Sequence, residues 1–206
     1  MGLSLKSTSG KLLASAALVG AAASVAGLGT YGAFTSTTSA STTVSSGTVV
    51  VGLGTAGSAT NRLTVAASGI VPGDTIQRAV TLSNTGTQNL AGVTLTTAAT
   101  TSSKLDTDAT NGLQLVVDSC SVPWTEAGTA PAYTYTCSGT TASVLATHAV
   151  IGTNVSLANL TSVTAGHADN LRVTLTLPTA ADNTFQGTSS TVGFSFTGTQ
   201  RSGTNQ

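Results

Sequence analysis

Charge is scarce in these 206 residues: Lys, Arg, Asp and Glu together make up 7% and cancel to a formal net charge of zero. There is no basic run to neutralise a phosphate backbone and no acidic tail, which excludes nucleic acid as a partner. Glutamate occurs once, at Glu126, and histidine twice, at His148 and His167. A zincin needs two histidines one helical turn apart with a glutamate between them, so that both rings face one metal and the carboxylate activates water. That motif is missing. His148, His167 and Asp169 would have to meet by long-range assembly, and isolated surface histidines are the simpler reading, so no metal ligand is assigned. No G-x-S-x-G elbow occurs either, and two dispersed histidines give no reason to choose one serine among many as a nucleophile. The expectation is a protein without cofactor and without catalytic residues. Gly52, Gly54 and Gly57 spell G-x-G-x-x-G, but residues 58–67 read as a strand where a dinucleotide fingerprint needs a helix, so a glycine-rich connection is the better reading. Amphipathic helical periodicity is also lacking after residue 33.

What the chain does contain begins with a signal. Lys6 and Lys11 precede an apolar, Ala-rich run from Leu12 to Leu28, which reads as a secretory signal helix. A permanent anchor is the weaker reading, because the run only just spans a bilayer core of about 30 Å and is built from Ala and Gly rather than Leu and Ile. Thr30 and Gly32 bracket Tyr31 as small residues do at a cleavage site, placing the cut between Gly32 and Ala33. Removing Lys6 and Lys11 leaves five basic side chains of the original seven against seven acidic ones. So little like-charge repulsion opposes self-association weakly. The expected organisation is a signal peptide over 1–32, an N-terminal leader or donor strand over 33–46, a β domain over 47–201 and a flexible tail over 202–206.

Ser and Thr supply roughly a third of the residues and 23 glycines interrupt the rest, usage that favours strands and turns over helices. A hydrophobic fraction of 40% and a mean hydropathy of +0.28 are too high for a disordered chain. Leu171, Val173, Leu175 and Leu177 alternate with polar residues, as do Val192, Phe194 and Phe196, so each set lies on one face of a strand. Less regular runs at 48–53, 63–67, 80–83, 93–97, 113–117, 133–137 and 150–157 bring the count to eight or nine strands. Short strands with alternating faces predict an all-β fold, an antiparallel β-sandwich. Residues 144–149 read as a short helix.

Cys120 and Cys137 are the only cysteines, and in an exported chain they are expected to pair. Such a bridge closes a loop of about 17 residues and stabilises by roughly 3 kcal/mol on the chain-entropy account. The enclosed segment holds Trp124, Tyr133 and Tyr135. They either pack beneath the bridge or form an exposed adhesive patch.

Four stretches carry a resemblance. They are Gly29-Thr30-Tyr31-Gly32-Ala33-Phe34; Ser46-Gly47-Thr48-Val49-Val50-Val51; Ile70-Val71-Pro72-Gly73-Asp74 leading to Asn84-Thr85-Gly86; and Asn183-Thr184-Phe185-Gln186-Gly187 leading to Phe194-Ser195-Phe196-Thr197-Gly198-Thr199-Gln200. In this order they resemble the TasA/camelysin family of secreted biofilm-matrix fibre proteins. The resemblance implies a jelly-roll form of the sandwich, cleavage by a SipW-type signal peptidase, and a location in the extracellular matrix or at the cell surface. It also implies head-to-tail self-association in which the segment after the cut, here Ala33, Phe34, Thr35 and Ser36 onward, is donated to a neighbouring subunit. Matrix or cell-wall partners would follow. A disordered leader is the competing reading of 33–46. A monomeric surface-binding module and a secreted metalloendopeptidase are the competing functions, the latter because the name camelysin carries that label.

Overall fold

A computed structural model describes residues 35–38, 50–59, 61–63 and 65–203, all within the unit Phe34–Gln206. The expected signal helix, the cut at Gly32 and Ala33, Phe34 of the expected donor segment and the end of the tail lie outside the described residues.

The described residues form twelve strands: β1 (Thr35–Thr38), β2 (Val51–Leu53), β3 (Val65–Ser68), β4 (Thr75–Asn84), β5 (Leu90–Thr101), β6 (Gln114–Cys120), β7 (Thr125–Thr129), β8 (Ala132–Thr136), β9 (Thr141–Ala149), β10 (Gly152–Leu157), β11 (Ala168–Thr176) and β12 (Ser189–Gln200). One sheet runs β12-β5-β10, with β1 and β3 sharing the outer edge of β12. The second runs β2-β4-β11-β6-β9, and β7 and β8 form a separate ribbon. From β3 to β6, and again from β9 to β12, successive strands alternate between the sheets. That alternation, with antiparallel pairing throughout, is the jelly roll.

Two-residue alternation explains the layers. Along β11, Asp169, Leu171, Val173 and Leu175 are buried, and the residues between them are half-exposed. Leu171, Val173 and Leu175 meet Val80 and Leu82 of β4, Val93 and Leu95 of β5, Leu115 and Val117 of β6 and Phe196 of β12 in one apolar core. At roughly 1.5–3 kcal/mol for each large side chain buried, this layer is the main stabilising term.

The structure corrects the sequence reading in three places. Residues 144–149 are not helical: they belong to β9, which pairs with β6 from Gln114↔Ala149 to Cys120↔Thr141. The edge of β6 supplies main-chain partners that a six-residue helix could not, and Thr141, Val144 and Thr147 are β-branched. The strands number twelve because β1, β7 and β9 are added, and several others extend beyond their apolar centres. One helical turn, α1 (Lys104–Thr107), follows a capping box in which Ser103 and Asp106 satisfy each other's main-chain N–H groups. Glycine is required for different reasons at Gly73 and Gly198. Gly73 takes φ +97° in the turn before β4, and a Cβ on Gly198 would stand 2.6 Å from Val51.

Candidate functional site

The outer edge of β12 takes two partners in succession. Ser189 to Val192 pair with β3, and Phe196 to Thr199 pair with β1 in the register Thr35↔Thr199 to Thr38↔Phe196. Among the described residues, neither strand pairs with Gly193 to Ser195, and Ser195 Oγ is buried without a hydrogen-bond partner. Thr35 and Ser36 therefore lie in a strand added to the eight-strand jelly roll. The sequence of β1, Thr-Ser-Thr-Thr, has no large apolar residue, and its ladder with β12 runs along a sheet edge.

Cys120 at the end of β6 is bonded to Cys137 just beyond β8, with their Cα atoms 5.8 Å apart. The enclosed ribbon lies on the outer face of the second sheet. Trp124 Nε1 donates to the Asn170 carbonyl (2.9 Å), and its ring lies 4.5 Å from the Arg172 guanidinium, which pairs with Asp118 at 2.8 Å. Tyr135 is buried, and its hydroxyl donates to Glu126 (2.7 Å). Glu126 also takes a two-pronged contact from Arg62, at 3.0 and 2.8 Å. The Arg62 guanidinium, with the Tyr135 hydroxyl, holds the Glu126 carboxyl below the usual glutamate range. Burial, with the bond to Glu126, pushes the Tyr135 phenol up to about 12. The loop aromatics are thus tied down and do not form an exposed adhesive patch.

Beside this ribbon, a groove of about 590 Å³ opens between the two sheets, walled by Leu53, Leu63, Val192 and Phe194, with Arg78 and Tyr133 at its polar side. Such a volume lies within the ordinary range for ligand sites. Arg78 shares the core-facing side of β4 with Val80 and Leu82 and is only 6% exposed. Tyr133 lies 4.5 Å from the Arg62 guanidinium and 5.6 Å from that of Arg78. The two arginines differ in compensation. Arg62 has Glu126, whereas Arg78 donates a single hydrogen bond, to the carbonyl of Gln77 (2.7 Å). Burial holds the Arg78 guanidinium below its ordinary pKa. The groove was missed in the sequence, although one signal was there: Ile76, Arg78, Val80 and Leu82 alternate, placing a charge on an inward face.

Gly52 and Gly54 lie along β4, with Gly54 N–H donating to the Thr81 carbonyl (3.1 Å), and no helix follows Gly57. His148 lies on β9 and bonds the neighbouring Ala149 carbonyl, while His167 precedes β11. Asp169 accepts from the main-chain N–H groups of Thr161 and Ser162. Among the described residues no three His, Cys, Asp or Glu side chains gather where they could hold a metal.

The fold and its edges define a disulfide-bonded jelly-roll sandwich carrying an added N-terminal strand and a cationic groove. The chain belongs to the camelysin family: the family described as camelysin metallo-endopeptidase matches residues 4–205. Comparison with curated proteins finds no match. The metal implied by that description does not fit the donor set of the described residues. The single glutamate is engaged by Arg62 and Tyr135, and the aspartate nearest a histidine in sequence, Asp169, caps a turn. No helix among the described residues is long and apolar enough to cross a membrane.

Proposed function

We propose that the protein is exported, cut between Gly32 and Ala33, and assembles as a structural subunit of extracellular fibres by donating the segment around Thr35–Thr38 to a neighbour. The observation that carries this reading is the pairing of β1 with the outer edge of β12. A strand laddered on a sheet edge can be exchanged for the same segment of another copy with no change of chemistry. Because donor segment and acceptor edge are different surfaces, the contact is head-to-tail and propagates instead of closing. Phe34 would add roughly 1.5–3 kcal/mol if buried in the acceptor. Cleavage frees this segment, which couples export to assembly.

Deleting residues 33–43 from the processed chain tests the proposal. Electron microscopy and size-exclusion chromatography should show filaments for the intact chain and a folded monomer for the deletion. Undiminished filaments from the deleted chain would overturn the donor role. A metalloendopeptidase would instead bind zinc stoichiometrically and lose substrate cleavage to a chelator.

A further inference from the structure

We infer that the groove between Arg78 and Phe194 is a binding site for an acidic side chain of a partner polypeptide, the carboxylate meeting Arg78 and its apolar neighbours in the peptide meeting the groove walls. The inference does not depend on the assembly proposal. A guanidinium carries N–H donors in a planar fork, and Arg78 spends only one bond on the protein. At 6% exposure it has given up most of its hydration without gaining a carboxylate, an arrangement that is costly when left unanswered. The nearest internal candidate, Glu126, is already taken by Arg62 and the Tyr135 hydroxyl. The vacancy in charge lies at a groove wide enough for a short peptide and walled by Leu53, Leu63, Val192 and Phe194.

Charge complementarity selects a carboxylate, because the planar fork matches its two oxygens. The lining selects a peptide over a carboxylated sugar. Sugar recognition would need an open aromatic face; the Tyr133 ring is engaged by two guanidinium groups, at 4.5 and 5.6 Å, and Phe194 packs against the apolar core. Apolar walls suit Val, Leu or Ala on either side of the acidic residue.

The test is isothermal titration of the purified full-length chain with acetyl-Ala-Val-Glu-Val-Ala-amide, its Gln counterpart, oligogalacturonate and inorganic phosphate. The Glu peptide is expected to bind at least tenfold more tightly than the Gln peptide, and Arg78→Met should abolish that preference, since a hydrogen bond to a charged group accounts for about a tenfold to hundredfold difference. Equal binding of the Glu and Gln peptides, a preference that survives Arg78→Met, or tighter binding of phosphate or oligogalacturonate would overturn the assignment. Should Arg78→Met fail to fold, the side-chain Nε–Hε resonance of Arg78 in the unaltered protein supplies the readout. It should shift on addition of the Glu peptide, and an unmoved resonance at saturating peptide refutes the site.

Discussion

Asp106 is buried beside three hydroxyls: it accepts from Ser190 (2.5 Å) and Ser102 (2.7 Å) and from the main-chain N–H of Ser103 (2.7 Å), while Ser103 Oγ bonds Ser190. Burial pushes this carboxyl up, but the bonds from Ser190, Ser103 and Ser102 outweigh it and leave it below its ordinary value. Asp106→Ala leaves those donors unanswered and should destabilise by about 1–3 kcal/mol in urea unfolding. Glu126 is held low as well, by Arg62 first. For both groups the folded pKa is depressed, so their stabilisation is complete above the unfolded carboxyl range of about 4 and disappears as pH falls through the folded values. Melting temperature should therefore drop as pH falls below about 4, and Glu126→Gln should shallow that drop by removing one of the carboxylates held low in the fold. An unchanged acid profile in Glu126→Gln would show that the Arg62 contact does not stabilise the fold.

At the scale of elements, the ribbon of β7 and β8 is fastened at three places: the Cys120–Cys137 bond, the Arg172–Trp124 stack and the Arg62–Glu126–Tyr135 contacts. Replacing both cysteines by serine should cost roughly 3 kcal/mol, read as a lower urea midpoint, with the sandwich still formed. Gly198→Ala should cost about 1–3 kcal/mol, because the new methyl would meet Val51 at 2.6 Å and Leu90 at 3.1 Å. The strands most legible in the sequence are those buried on one face only. In β11 and β12 each apolar residue has a polar successor, and the alternation marks strand and inward face together. By contrast β9 is an exposed edge with a mixed pattern, and its conformation is set by pairing with β6. That partner is remote in sequence, which is why local reading chose a helix. The same limit hid the groove: Arg78 is readable as an inward charge, but its meeting with Tyr133 and Phe194 depends on chain crossings between sheets.

For the molecule as a whole, apolar alternation was enough to predict a sandwich, and the strand order of a jelly roll came through the resemblance carried by residues 70–86 and 183–200. The sequence reading of 33–46 had two branches, donor or disordered leader. Residues 35–38 are a strand on the chain's own edge, and the proposed donation requires that strand to be exchanged. On that basis, filament growth should slow with a mature chain carrying Thr37→Pro. Proline removes a main-chain donor and is poorly tolerated in a ladder, while the monomer's melting temperature should change little because β1 is a four-residue strand at a sheet edge. Light scattering and calorimetry on the same sample check both halves.

The β1–β12 pairing joins residues 35–38 to 196–199, and β3 likewise docks on residues 189–192. The earliest strands of the described chain thus wait for the latest one. During synthesis the nascent polypeptide lacks the ribbon on which its own beginning must land, and closing so long a loop is slow. The delay leaves both segments without their edge until the last strand of the sandwich has been made.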